Sequence, residues 1–414
     1  MNLSFNFLNT LNDQPITKSS HKKIRLEDEL LLYLIKPNLD PDINHKIQKL
    51  LNRKIDWEYI IKKANSCRVA PLLYRNLKEN FKRAVPNEIM NRLKEYYKNI
   101  ALGNIYLTGS LLKLINLFKK NSIVAIPYKG PVLAKLVYGD ISYKQFADLD
   151  ILIHKQDITK AKQLLVSSGF KPLPELTKIQ EIILLEYMLE HSYMNRDKGI
   201  SLDIHWRVAP KYFMLSIDYE KLWKNLKPVS ILDMDVLTFC PEDLLFILCI
   251  HGIRNLWNQL NLISDVAKLI DSYKKMDWDK VLKQSNRKGN KRFLLLGLNL
   301  AKNFFDIKLP KEILRLIKKD KVVISITSYI SKKLLSEEIY TPNIIEKTLC
   351  QVELKEKFFN KLRFIFHLMV MVLTTDCKFL HLPKSVNFLC KLLKPIRFLL
   401  QYRLILLKKD NLDK

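Results

Sequence analysis

Glycine occupies only 9 of 414 positions, against ordinary usage of about 7%. No G-x-G-x-x-G and no G-x-x-x-x-G-K-[ST] occurs, so Gly-rich dinucleotide and P-loop cradles are excluded. The six cysteines, Cys67, Cys240, Cys249, Cys350, Cys377 and Cys390, form no C-x-x-C and mostly sit in apolar runs. They read as reduced core thiols of a cytoplasmic protein. No His/Cys cluster has zinc-ligand spacing, and no Ser/His/Asp or Cys/His arrangement stands out. The N-terminus lacks the charged start and apolar stretch of a signal peptide. The longest strongly apolar run, near 364–373, is interrupted by His367 and falls short of the roughly 20 residues of a bilayer span, so no membrane span is expected.

Acidic residues are also in deficit. Lys and Arg number 70 against 42 Asp and Glu, a formal charge of +28. That balance favours anionic partners such as nucleotides or nucleic acid, although lysine, isoleucine, leucine and asparagine are abundant throughout and part of the charge reflects that bias. Hydrophobic residues make up 48%, ample for a sizeable core. Apolar spacings of 3 and 4 predict helices from Leu26 to about Leu117 and again from Tyr212 onward. Between them the pattern changes. Ser122–Tyr128 reads as a short strand, Lys129-Gly130 as a turn, and Pro131 opens a helix through Tyr138. Gln145–His154 reads as a second strand, and Asp157–Ser168 as an amphipathic helix closed by Gly169. Glu181–Glu190 follows as a helix, then a hairpin of Ser192–Arg196 and Ile200–Arg207 turning at Asp197-Lys198-Gly199. The expected fold is α+β: a flexible tail (1–25), an N-terminal helical region (26–117), a small mixed-sheet palm (118–210) and a C-terminal helical region (211–414).

Asp148 and Asp150 lie two apart on a predicted strand, so both carboxylates project to one face. Two converged carboxylates suit Mg²⁺, which takes a few carboxylate oxygens together with substrate phosphates. Alone, D-x-D is weak, because exposed strands often carry acids on their wet face. About twenty residues earlier, the turn at Lys129-Gly130 opens a helix whose free N–H groups and partial positive charge offer a seat for phosphates. Asp203 sits on a later strand, where Asp203, His205 and Arg207 alternate onto one face. A third carboxylate beside a metal-binding pair is placed to act as base for an attacking hydroxyl. His205 and Arg207 could contact nucleotide or serve the sheet, whereas Trp206 faces the opposite, core side. Gly109-Ser110 lies within a helical pattern, and Arg287–Arg292 reads as a solvated loop.

This order resembles the DNA polymerase β-like nucleotidyltransferase superfamily. Within it, YKGPVLAKLVYGDISYKQFADLDILIHKQDITKAKQLLVSSGF, LDIHWRV and EDLLFILCIHGIRNLWNQLNLISDVAKLI resemble an uncharacterised bacterial nucleotidyltransferase family, and weaker likeness extends over most of 26–405. The resemblance implies transfer of a nucleoside monophosphate from an NTP to a hydroxyl acceptor: small molecule, peptide or protein, or RNA end. It implies Mg²⁺, with Mn²⁺ as a substitute, held by Asp148, Asp150 and Asp203, and phosphate charge met by Lys129, Gly130 backbone N–H and Lys144. His251 would face the cleft, or else is a buried structural histidine, and Asp265 reads as a helix-surface or helix-packing acid. Two departures stand out: Lys129-Gly130 replaces the superfamily's Gly-Ser, and Lys144 replaces a common arginine, losing bidentate geometry. The alternatives are a tRNA-directed, toxin-like transferase, a catalytically silent nucleotide-binding module, and a basic scaffold whose aspartates are merely solvated.

Overall fold

The computed structural model describes residues 24–286 and 290–370. The N-terminal helices are α1 (Leu26–Leu34), α2 (Pro41–Leu51), α3 (Trp57–Ser66), α4 (Ala70–Asn80) and the 34-residue α5 (Asn87–Lys120). Asp40 and Asp56 cap α2 and α3 by accepting from Ile43 and Tyr59 N–H, satisfying donors that helix starts leave open. Then come β1 (Ala125–Pro127), α6 (Gly130–Tyr138), β2 (Asp148–Ile153), α7 (Ile158–Ser167), β3 (Lys171–Leu173), α8 (Lys178–Tyr187), β4 (Glu190–Asn195) and β5 (Ile200–His205). These strands form one sheet in the order β1-β2-β5-β4-β3. The β2/β5 pair is parallel and the other pairs are antiparallel. The α+β class expected from the sequence is thus observed.

Two differences from the sequence reading concern strands. Lys171–Leu173 forms a short edge strand that no periodicity announced. A second hairpin, β6 (Lys227–Ile231) and β7 (Met234–Thr238), lies where only helices were expected. Its turn residues Leu232 and Asp233 both have positive φ, 46° and 64°, as a two-residue hairpin turn requires. Turns of this kind usually carry Asn or Gly, so the usual signal is missing. Ile231 and Val236 tie this hairpin into the palm core. The chain continues as α9 (Tyr219–Lys224, before β6), α10 (Pro241–Arg254), α11 (Leu260–Ser272), α12 (Trp278–Ser285), α13 (Lys291–Phe305), α14 (Lys311–Lys319), α15 (Lys321–Leu334), α16 (Ile344–Glu353) and α17 (Phe358–Val370). Of the segment expected as a solvated loop, 287–289 lies outside the described residues, as do Cys377 and Cys390, whereas Lys291 and Arg292 open α13 and Arg292 pairs with Asp320 at 2.8 Å. Gly109-Ser110 sits inside α5 as expected.

Alternation along β2 and β5 divides the core. Leu149, Ile151, Ile153, Leu202 and Ile204 point to one face, packing with Leu107–Phe118 of α5 and with Ile158, Ala161 and Leu165 of α7. Trp206 joins that core, as its position predicts. Ile126, Tyr128 and Leu152 belong instead to the larger core shared by the N- and C-terminal helices. The acidic residues of β2 and β5 share that second face. By length and composition α5 could cross a bilayer, a property the sequence reading did not note. In the fold, 33% of its most apolar stretch is buried, and buried Asn104 on it donates to the Ile141 and Lys144 carbonyls at 2.6 and 2.8 Å.

Candidate active site

Parallel register sets Asp150 directly opposite Asp203. Both side chains therefore meet on the face turned to the helices, with Asp148 two residues before Asp150. Asp150, Asp203 and His205 bring ligand atoms within 4.8 Å of one another. Asp150 is 7% exposed and His205 is fully buried. Asp150 Oδ1 accepts from Lys129 Nζ at 2.7 Å and meets His205 Nε2 at 2.9 Å. Burial opposes ionisation of Asp150, but Lys129 and His205 outweigh it and hold its carboxyl well below the usual range. Asp148 and Asp203 go the other way. Burial raises both; the charge of Asp150 adds to Asp148, and those of Glu190 and Asp150 add to Asp203, against a hydrogen bond from Ser192.

The turn before α6 brings Lys129 to this cluster. Gly130 has φ +50°, a left-handed conformation that side chains resist. A Cβ there would also touch the Asp148 carbonyl at 3.5 Å. The sequence thus turns sharply enough for the α6 N-terminus to abut the start of β2. Tyr128, buried beside it, stands edge-on to His205 at 5.4 Å and to Phe239 at 5.5 Å, forming an apolar wall behind the imidazole.

Not every residue singled out from the sequence joins this cluster. Lys144, expected beside the phosphates, is buried and donates to both oxygens of Asp265 at 2.8 and 2.6 Å. Tyr138 also donates to Asp265, at 2.9 Å. Asp265 is therefore the partner of Lys144, not an ordinary packing acid. Arg207 donates to the Glu186 carbonyl at 2.6 Å, anchoring the end of β5. His251 lies on α10 in the field of the cluster: burial, then Lys129 and Arg254, hold its imidazole well below the usual range.

Sequence reasoning missed Glu190 and Arg254. Glu190 on β4 is the register partner of His205, and its Oε2 lies 3.1 Å from His205 Nδ1, off the direction of a well-formed hydrogen bond. Arg254 holds the same oxygen at 3.0 Å. Burial would raise Glu190, yet His205 and Arg254 keep its carboxyl below the usual range. The four side chains form a continuous row, Asp150–His205–Glu190–Arg254. The sequence reading ended a helix at Glu190, whereas the helix stops at Tyr187 and Glu190 opens β4; period-2 alternation cannot say which β4 residue faces His205. Arg68, exposed in the turn between α3 and α4, adds a positive field at Asp148. That turn is fixed to α11 by the Asn261 N–H to Cys67 carbonyl bond at 3.2 Å.

The arrangement can hold a divalent cation by hard carboxylate oxygens and surround it with lysine and arginine charge. No curated protein matches the chain. A family model described as an uncharacterised nucleotidyltransferase matches residues 53–306, more than half of the sequence and the whole of the carboxylate cluster; the weaker likeness read at 307–405 lies outside that match. The chain belongs to this uncharacterised nucleotidyltransferase family and is a transferase of nucleotidyl groups.

Proposed function

We propose that the protein transfers a nucleoside monophosphate from an NTP to a hydroxyl acceptor in the cytoplasm, with Mg²⁺ or Mn²⁺ at Asp148, Asp150 and Asp203. The observation that carries this reading is the register pairing of Asp150 with Asp203 on the face that Asp148 shares. The donor set fits a hard cation. Asp148 and Asp203, raised by burial and neighbouring acids, have the electrostatics of carboxylates short of positive charge. When bound there, a divalent cation would neutralise phosphate charge and lower the acceptor hydroxyl's pKa.

The chain's own residues supply the rest. Asp203 is suited to take the proton of the acceptor hydroxyl. His205 fixes the Asp150 carboxylate, and Glu190 with Arg254 backs His205. Lys129, now paired with Asp150, brings a cation to the edge of the cluster and would turn to a phosphate oxygen when nucleotide binds. Buried free thiols at Cys67, Cys240, Cys249 and Cys350 accord with a reducing compartment.

Release of pyrophosphate from NTPs in the presence of candidate acceptors tests this reading. Loss on Asp203→Asn supports it, and full activity in that variant refutes it. One observation favours a second reading, a catalytically silent nucleotide-binding module: Lys129 and His205 both already occupy Asp150 Oδ1. That module binds NTP and releases no pyrophosphate in any acceptor screen. A tRNA acceptor is supported by the +28 charge, and predicts tRNA binding that stays tight as salt rises.

A further inference from the structure

A cavity of about 180 Å³ opens between the α1–α2 connection, α4 and α11, and none of the carboxylate cluster lines it. It has room for roughly six waters' share of liquid volume. Its walls carry three cations, Lys36, Arg75 and Lys268, against the single carboxylate of Glu79. Arg75 is oriented by the Tyr143 ring, 4.3 Å from its guanidinium carbon, and by Glu79 at 3.3 Å.

Lys268 is the unusual member. It lies one helical turn beyond Asp265 and is only 7% exposed. Its ammonium stands 5.2 Å from the centre of the Tyr138 ring. Among the described residues it has no hydrogen-bond or ion-pair partner. Its Nζ is not among the enclosed polar atoms that lack a partner, so the ammonium opens to the solvent of the cavity. Asp265, three residues earlier on the same helix, is taken by Lys144 and Tyr138. Asp271, one turn on, is engaged by Lys274 and by Asn38. All three N–H donors of Lys268 are therefore left for whatever enters the cavity.

We propose that this cavity is a second anion site, taking the phosphate or diphosphate group of a small ligand on Lys268 and Arg75, separate from the carboxylate cluster. Phosphate chemistry is favoured over a single carboxylate by the two cations converging on one small space and by the fork geometry of Arg75. Burial, with the nearby Arg75, lowers Lys268 to about 8, so an arriving anion would also restore its full charge. The assignment stands independently of the transfer reaction.

Calorimetric titration with inorganic pyrophosphate, in EDTA and at constant ionic strength, tests it on the full chain. Wild type should bind. Lys268→Met should weaken binding by about tenfold to a hundredfold, the range for losing a charged hydrogen-bond partner. Arg75→Gln, at a half-exposed position that poses little folding risk, should weaken it in the same direction. Lys129→Met, which alters the carboxylate cluster, should leave it in place. Undiminished binding in folded Lys268→Met and Arg75→Gln, or loss in Lys129→Met alone, would overturn the proposal and move the anion to the carboxylate site. Absence of binding in wild type overturns it as well.

Discussion

Asp265→Asn is the perturbation whose consequence follows most directly from the geometry. Lys144 and Asp265 form an ion pair at 2.6 Å, with side chains 8% and 5% exposed. At an effective dielectric of about 20 that separation corresponds to a gross attraction of about 6 kcal/mol, largely offset by the cost of taking both charges out of water. The substitution keeps volume and keeps an oxygen for Tyr138, but leaves the Lys144 ammonium buried with no carboxylate. The expected loss is about 3–5 kcal/mol. With a urea slope of about 3 kcal/mol/M, the unfolding midpoint should drop by about 1–1.7 M. Lys144→Met/Asp265→Leu removes both charges, and buried pairs replaced by apolar residues are often neutral or more stable. The double variant should therefore recover most of the loss. A midpoint shift under about 0.3 M for Asp265→Asn, or a double variant no more stable than the single, would refute the reasoning. Asn104 also holds the Lys144 carbonyl, so the segment leading into β2 keeps that tether when the ion pair is lost.

Gly252→Ala would put a Cβ 2.4–2.6 Å from three atoms of the buried Trp257 indole; calorimetric unfolding should show a loss of about 1–3 kcal/mol despite the better helix propensity of alanine. Asp148→Asn and Asp203→Asn should each stabilise the metal-free protein at neutral pH. Burial raises both carboxyls, so the folded state binds more protons than the unfolded one and loses stability as pH rises above the ordinary carboxylate range. Glu190 has the opposite sign. Its carboxyl is lowered by His205 and Arg254 against its burial, so its contribution is present above the usual glutamate range and disappears as pH falls through the lowered value. Glu190→Gln should flatten the acid limb of the stability profile measured between about pH 3 and 6. Mg²⁺ at a hundredfold excess over its dissociation constant should stabilise wild type by about 2.7 kcal/mol, with no such gain in Asp150→Asn.

The carboxylates were legible because a period of two fixes the face of Asp148 and Asp150 on any strand, and Asp203 lies on a second strand with the same alternation. Gly130 was legible as a turn because few other residues take its left-handed backbone. Pairing across long separations was not. Glu190 meets His205 only through the antiparallel β4/β5 register, and Asp265 meets Lys144 across 121 residues. Lys144 was singled out as a phosphate-binding cation and instead pairs with Asp265, because nothing local told its carboxylate partner from a phosphate. The hairpin at 227–238 escaped notice because Leu232-Asp233 makes its turn without the glycine or asparagine that would mark it. The His251-Gly252 pair reads differently once folded: Gly252 is small because Trp257 packs on it, while His251 senses the charges of the cluster.

Under the proposed function, nucleotide and divalent metal meet at Asp148, Asp150 and Asp203. Calorimetric binding of non-hydrolysable NTPs tests it most directly, with and without Mg²⁺, on wild type and on Asp148→Asn/Asp150→Asn. Mg²⁺-dependent binding in wild type, lost in the double variant, is the expected result. Binding that is independent of Mg²⁺ and unchanged by the two substitutions would contradict it.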